Sequence, residues 1–194
     1  MANNLVTFGL KNVHYAKATL GEDGAYTFGT PVKLPGAQEF TSDIIGGSTP
    51  IYGDDHVLAT LTQNSGRTLT LKLSQVPDEF KTDVLGYKKL ENGNVIEVAN
   101  AELVTFALGL EFQGDVKARR TWYWLCTVTP ISEATKTKTD TVEANAITLN
   151  ITVRPIEAQN GYLITNIVAG KGDANYDTFF SAVPDLPVIT GGAK

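Results

Sequence analysis

The chain has 194 residues and a net charge of −5, from 16 Lys and Arg residues against 21 Asp and Glu residues. The length corresponds to a single domain over residues 1–194, and the acidic balance argues against a protein that grips nucleic acid phosphates. Cys126 is the only cysteine and there are two histidines, which excludes an internal disulfide and leaves few ligands for a zinc site. We therefore expect no metal and no cofactor.

No targeting signal is expected in this sequence. Residues 1–10 lack a basic segment followed by a long apolar stretch, as a cleaved secretory signal would have. No window reaches about 18 uninterrupted apolar residues, so no membrane span is expected either. These features predict a soluble protein that is made in a cytoplasm.

The first turn signal, Gly21–Gly24, predicts a hairpin between strands over Val13–Leu20 and Tyr26–Phe28. It is followed by Thr41–Asp55, a long Gly- and Asp-rich segment. We expect residues 41–55 to form a projecting loop that orders against a partner, or else a hairpin folded back on its own sheet. The candidate contact residues of this segment are Ile44, Ile45, Ile51, Tyr52, Asp54 and Asp55. Asp54-Asp55-His56 could in principle hold a metal, but a solvated turn is the preferred interpretation, because adjacent strand residues point to opposite faces.

The middle of the chain predicts a strand, a helix and a hairpin. Thr68–Val76 alternates leucines with polar residues, and Val76–Tyr87 has helical spacing, with Pro77 expected at the first helical position. Leu103–Gln113 and Thr121–Thr129 are expected to pair as a long antiparallel hairpin. Within the second of these strands the alternation places Trp122 and Trp124 on one face with Cys126 and Val128, which predicts a core face.

The last third contains the cleanest strand pattern. Ala146–Arg154 places four aliphatic residues on one face and Thr148, Asn150, Thr152 and Arg154 on the other. Asn92-Gly93 and Asn160-Gly161 predict type I′ hairpins. A polar segment over Ile131–Asp140, a short helix over Asn175–Ala182 and a C-terminal tail over residues 183–194 complete the prediction. With about nine strands, the chain is expected to be mainly β, an antiparallel sandwich or barrel with one flanking helix.

The catalytic motifs are incomplete, so we expect no enzyme. Asp173, Asn175 and Asp177 match the start of a calcium loop, but its required glycine and closing glutamate are missing. Gly170-Lys171 lacks the rest of a phosphate loop, and no nucleophile elbow is present.

Several stretches of the chain resemble the phi13-type major tail protein family of tailed phages that infect Gram-positive bacteria. The resemblance covers Phe8–Ala16, Val32–Ala37, Ala59–Leu73, Val76–Tyr87 with its Gly86-Tyr87 ending, and Arg119–Val128. It implies a structural virion protein, the subunit of a tail tube. Such subunits form hexameric rings that stack into a hollow conduit, through which genomic DNA passes without specific binding.

The resemblance implies further partners. They are other copies of the chain, the tape-measure protein and the terminator or baseplate proteins. The residue chemistry is compatible with this role, because the polar strand faces with Thr148, Asn150 and Thr152 and with Thr70, Lys72 and Ser74 are candidates to face the channel. Lys72 and Arg154 argue mildly against these two strands facing the lumen. Deletion of Ile44–Tyr52 is expected to leave a folded monomer that forms no tubes.

Three alternatives remain open at this stage. The chain could be an adhesin- or pilin-like β module of a Gram-positive bacterium, which an internal Lys–Asn bond would favour. It could be an enzyme or a carbohydrate-binding domain that uses Trp122 and Trp124, which requires those rings to be exposed. It could also be another phage tail ring protein, such as a terminator or a baseplate component.

Overall fold

The structure is a computed structural model that describes residues 9–114, 117–131 and 146–189. These residues form short and long strands and a single helix, in the following order: β1 (Leu10–Leu20), β2 (Tyr26–Phe28), β3 (Val32–Lys33), β4 (Ala37–Gly53), β5 (His56–Leu73), α1 (Asp78–Asp83), β6 (Lys88–Lys89), β7 (Val95–Ile96), β8 (Phe106–Phe112), β9 (Arg120–Val128), β10 (Ile147–Arg154), β11 (Ile156–Glu157), β12 (Leu163–Ile164) and β13 (Asn166–Ala169).

Nine of the strands form one antiparallel sheet. Its main path runs β2-β1-β8-β9-β10-β5-β4, with β3 beside β1 and β13 beside β9. The pairs β6–β7 and β11–β12 are separate small hairpins. The predicted mainly β, antiparallel class is therefore confirmed, as is the long hairpin of β8 and β9.

The sheet curls so that its inner face encloses a first core. β4, at one end of the path, contacts β1, near the other end. Phe40 of β4 reaches across to the rings of Phe112 and Tyr123, with centroids 6.2 and 6.0 Å away. The shape is barrel-like, but among the described residues no hydrogen-bonded pairing of β1 with β4 closes the barrel.

Helix α1 closes one end of the first core. Its Phe80 ring is fully buried and makes edge contacts with Tyr15 and Phe106, at 5.0 and 5.7 Å between centroids. The helix is shorter than predicted: Pro77 is the residue before it, and the backbone leaves the helix at Val84, two residues before Gly86 takes a left-handed φ of +74°. Six helical residues are not stable alone, so burial of Phe80 is what holds this helix.

A second core lies on the outer face of the sheet, over β1, β8 and β9. It is closed by residues 173–189, which we call the C-terminal strap. The predicted helix over Asn175–Ala182 is wrong, because these residues form successive i→i+3 turns such as Phe179 N–H to Tyr176 C=O. Trp122 and Trp124 belong to this second core, whereas Tyr123, Cys126 and Val128 belong to the first.

A β-bulge explains why the predicted face of β9 is wrong. Phe106 pairs with Cys126, but Leu108 pairs with Tyr123, so β9 contains one residue more than β8 in this interval. The extra residue reverses the alternation between Trp124 and Cys126. The two tryptophans are buried as predicted, but on the face opposite to Cys126.

The Asn-Gly hairpins lie where predicted, with a different turn type. At Asn160-Gly161 the Gly161 N–H donates to the Ala158 carbonyl, and the Ala158 N–H donates to the Tyr162 carbonyl. Only the glycine has positive φ, which defines a type I turn followed by a bulge. Asn92-Gly93 and Gly21–Gly24 close their hairpins in the same way, so the predicted type I′ geometry is wrong for both Asn-Gly turns.

Candidate assembly surfaces

The segment over residues 41–55 is a strand and a turn, not a loop. Together with the return strand it forms the outer part of the β4–β5 hairpin, of which residues 46–65 project beyond the sheet; we call this part the ribbon. Strand β4 continues for eight residues past Ile45, so at about 3.4 Å per residue the ribbon is roughly 27 Å long. No residue of the ribbon is buried.

The base of the ribbon is fixed by Gly66. This glycine is buried and has a φ of +140°, and a Cβ at this position would lie 2.3 Å from the carbonyl oxygen of Val153. Strand β5 has an extra residue, Ser65, opposite the step from Ile45 to Gly46. The glycine and the bulge together set where the hairpin leaves the body of the sheet.

The ribbon exposes apolar side chains on both of its faces. Ile51 pairs with Ala59 and Thr49 pairs with Leu61, which places all four on one face. Leu58 is the extra residue of a second bulge, and its Cδ1 atom covers Gly53 on that same face. Leu58 and Leu61 are each 62% exposed. The opposite face carries Tyr52, which is 69% exposed, and its partner Val57.

The tip of the ribbon is a type I′ turn. Asp54 and Asp55 have φ of 49° and 63°, between the paired residues Gly53 and His56. The His56 Nδ1 atom lies 3.0 Å from the Asp54 carbonyl oxygen. The predicted solvated turn is confirmed, and among the described residues no group of three acidic, His or Cys side chains is arranged to hold a metal.

The structure places each candidate contact residue on this hairpin. Ile44 and Ile45 lie at its base, Ile51 and Tyr52 near its end, and Asp54 and Asp55 at the tip. Sequence reasoning missed Val57, Leu58 and Leu61, which add three more exposed apolar side chains on the return strand. The sequence carries one signal that could have found them, the Asp54-Asp55 turn. A hairpin centred on this turn places residues 56–61 of the return strand opposite residues 48–53.

A polar outer face covers the part of the sheet that the strap does not reach. It comprises Thr68, Thr70, Thr127, Thr148, Asn150 and Thr152. The candidate channel-facing residues Thr148, Asn150 and Thr152 are all exposed, while the intervening aliphatic residues are buried, as the alternation predicted. Thr152 pairs with Thr68 on one side and Thr127 on the other, so hydroxyl groups form a row across three strands.

The polar outer face is electrically balanced. Lys72 lies on this face, but its Nζ is 2.5 Å from the Glu39 carboxylate of the neighbouring strand. The face also carries Asp43 and Arg154, so its two acidic and two basic side chains cancel. The charges that argued against a channel-facing role therefore add no net positive potential.

The tryptophans are part of the fold and not a ligand platform. Both indole rings are fully buried. Trp122 Nε1–H donates to the Phe179 carbonyl at 2.7 Å, and Trp124 Nε1–H donates to the Pro184 carbonyl at 3.0 Å. Each indole therefore holds the strap against the sheet through a hydrogen bond. Because both rings are buried in this way, neither is available to stack on a sugar or a base.

Glu111 is a charged residue that is buried beneath the strap, with 2% exposure. It accepts hydrogen bonds from Asn12 and from the Arg120 Nε–H, at 2.9 and 3.1 Å, and pairs with Lys11 at 3.1 Å. Burial alone would raise its pKa, but the hydrogen bonds from Asn12 and Lys11 and the charge of Arg120 together lower the pKa of Glu111. Arg120 also donates to the Tyr176 carbonyl and stacks on the Tyr176 ring, 4.0 Å from its centroid. This network fastens the strap.

Cys126 is buried, and His14 is half-buried. Burial raises the pKa of the Cys126 thiol, which is fully enclosed, so the thiolate needed for nucleophilic chemistry is disfavoured. His14 stacks on Phe180 at 4.8 Å, and burial lowers its pKa. Within the described ranges, no helix is long and apolar enough to cross a membrane.

No protein-family model matches the chain, and no sequence among the curated proteins is similar to it.

Proposed function

We propose that this chain is the subunit of a phage tail tube, which assembles with copies of itself into stacked rings. The ribbon is the observation that carries the proposal. It presents five large apolar side chains to solvent, Ile51, Tyr52, Val57, Leu58 and Leu61, on an element in which no residue is buried. An isolated two-stranded hairpin is marginally stable in water, so a partner that covers these side chains would also stabilise the ribbon.

The polar outer face supports the second half of the proposal, a conduit for DNA. A wall of threonine and asparagine side chains without net charge offers no clustered cations to hold phosphates. DNA would pass such a wall without the salt-dependent affinity of a basic surface. Assembly into rings would also cover the edge of β4 that pairs with no strand in the described part of the chain and is otherwise open to uncontrolled strand pairing.

The other candidate functions receive less support. The buried tryptophans do not favour a carbohydrate-binding site. A terminator or baseplate ring would need the same self-association but would stop at one ring, so the form of the assembly distinguishes it from a tube. The virion tail is accordingly the proposed location, and the tape-measure protein is a proposed partner inside the conduit.

Electron microscopy of the purified protein at increasing concentration tests the proposal. Hollow rods of uniform width are expected, and single closed rings would instead indicate a terminator-like protein. Protein that remains monomeric under all conditions would overturn the proposal.

A matched variant should remove the whole ribbon. Deletion of Ile44–Tyr52 alone removes one strand and leaves its partner β5 unpaired, so a failure to assemble could reflect misfolding. Replacing residues 46–65 by a two-residue turn removes the ribbon part of β4 together with the part of β5 that pairs with it, so neither strand loses its partner. This variant is expected to keep the circular dichroism spectrum and melting temperature of the body while forming no rods.

A further inference from the structure

An apolar groove lies at the end of the body opposite to the ribbon. It has about 490 Å³ of free space, including its open mouth, and its wall includes Leu85, Val98, Ala101, Leu103, Pro130 and Ile131. We call it the end groove. Leu85 is buried at its floor, and Leu103 is 40% exposed at its side.

Strand register places the ribbon and the end groove at opposite ends. The ribbon leaves the sheet at Gly66, where β10 ends with Val153 and Arg154. Pro130 and Ile131 follow β9 in the other direction, past the pair of Val128 with Ile151. Leu85 follows α1, which begins after β5 has run to its far end at Leu73. The ribbon therefore points away from the end groove of its own chain.

We propose that the ribbon of one copy docks in the end groove of a second copy, so that copies join head to tail along the strand direction. The inference rests on the proposed tube function for the identity of the partner and adds the surface that receives the ribbon. An apolar projection at one end and an apolar concavity at the other form a heterologous pair of surfaces. Such a pair generates a ring where the rotation between copies closes and an open stack where it does not, and surfaces at opposite ends of the body favour the stack.

The face of the ribbon that fits the groove is the one with Ile51, Leu58 and Leu61. Its leucines are the most exposed aliphatic side chains of the ribbon, at 62% each, and the groove wall is mainly aliphatic. Charge supports the same orientation. The only acidic side chains of the ribbon are Asp54 and Asp55 at its tip, and exposed Lys88 and Lys89 follow Tyr87, which lines the groove. Glu97 also lines the groove, and exposed Glu102 lies between the lining residues Ala101 and Leu103, so charge supports this orientation only where the tip reaches Lys88 or Lys89.

Disulfide trapping between singly substituted chains tests the inference. Leu61→Cys chains are mixed with Leu103→Cys chains and oxidised mildly; Cys126 is fully buried and does not compete. A disulfide between the two different chains is expected. Val57→Cys, on the opposite ribbon face, is the matched control and is expected to cross-link to Leu103→Cys far less. Efficient cross-linking of Leu61→Cys chains with one another would overturn the inference in favour of ribbon-to-ribbon pairing.

Assembly and cross-linking together separate the two proposals. Rods without a Leu61–Leu103 cross-link would overturn the docking inference and leave the tube function standing. A chain that never associates would overturn both.

Substitutions at the groove and at the ribbon tip test the two docking surfaces. Leu103→Asp is expected to abolish rods while circular dichroism shows that the monomer stays folded. Rods that form as readily as in the original chain would overturn the inference. Asp54→Lys is expected to raise the concentration needed for assembly about threefold, and Lys88→Glu on the second copy to restore it. Absence of that rescue, with Lys89→Glu also ineffective, would contradict the proposed orientation.

Discussion

The carbonyl oxygen of Val153 lies 2.3 Å from the position that a Cβ atom would occupy on Gly66. This close approach of the β10 backbone to β5 occurs at the point where the ribbon begins. Any side chain at residue 66 would have to displace backbone atoms, and the φ of +140° is itself unfavourable for a residue with a Cβ. Gly66→Ala is therefore expected to lower the free energy of unfolding by roughly 2–4 kcal/mol, measured by urea denaturation.

Gly47→Ala is the control for that substitution. Gly47 lies on the ribbon, has no left-handed φ, and apart from its two chain neighbours no residue has an atom within 4 Å of the position of an added Cβ. Its substitution should change stability by less than about 0.5 kcal/mol. Equal effects of the two substitutions would show that residue 66 does not fix the base of the ribbon.

Attachment of the C-terminal strap depends on Trp122. In Trp122→Phe the Phe179 carbonyl loses its donor inside the second core, which should cost about 1–3 kcal/mol. Limited proteolysis should then cut within residues 173–189 faster than in the original chain. Phe106→Leu, in the first core, is the control: it should lower stability without selectively exposing the strap. If both variants are cut at the same new sites, the indole hydrogen bond has no specific role there.

The pH dependence of stability should have two separate acidic limbs. The pKa of Glu111 is lower in the folded chain than its ordinary value of 4.5, so the unfolded chain binds the proton more readily. The stabilisation from Glu111 is therefore complete above pH 4.5 and is lost as the pH falls through the folded pKa. The pKa of His14 is also lowered from 6.5, so stability should already begin to fall below pH 6.5.

Two variants assign these limbs, with unfolding followed at a series of pH values. Glu111→Gln should flatten the dependence below pH 4.5 while leaving the limb near 6.5. His14→Phe keeps a ring to stack on Phe180 and should remove only the limb near 6.5. A limb that persists unchanged in its own variant would rule out that residue as its source.

The parts of the fold that were predictable are those in which neighbouring residues decide the structure. In β10 one face is buried and the other is exposed along the strand. The alternation of aliphatic residues such as Leu149 with polar residues such as Asn150 is therefore enough to predict which side chains are buried. In β9 the burial pattern depends on a bulge set by pairing with β8, and both faces are covered, so alternation gives the wrong face for Trp122.

The candidate surface was only half predictable for a similar reason. The ribbon has no buried face, so its sequence carries no alternation between core and solvent, and its apolar residues were interpreted as part of a loop. The return strand with Leu58 and Leu61 was missed because its role depends on register with β4. The strap, likewise, is held by side-chain bonds to its carbonyls, such as that from Trp122 to Phe179, and has no periodicity of its own.

Thr152 offers a test of the polar outer face as a conduit wall. It is exposed, between Thr68 and Thr127, on a face whose charges cancel. Thr152→Lys should leave the fold intact and should give assembled tubes one added cation per subunit along the wall. Such tubes are expected to retain linear DNA at low salt and to release it as salt is raised, which an electrophoretic retention assay measures. Thr27→Lys is the control, because Thr27 is an exposed threonine on β2, which ends the sheet path and is separated from β10 by three strands. Equal DNA retention by the two variants would contradict a channel-facing position for Thr152.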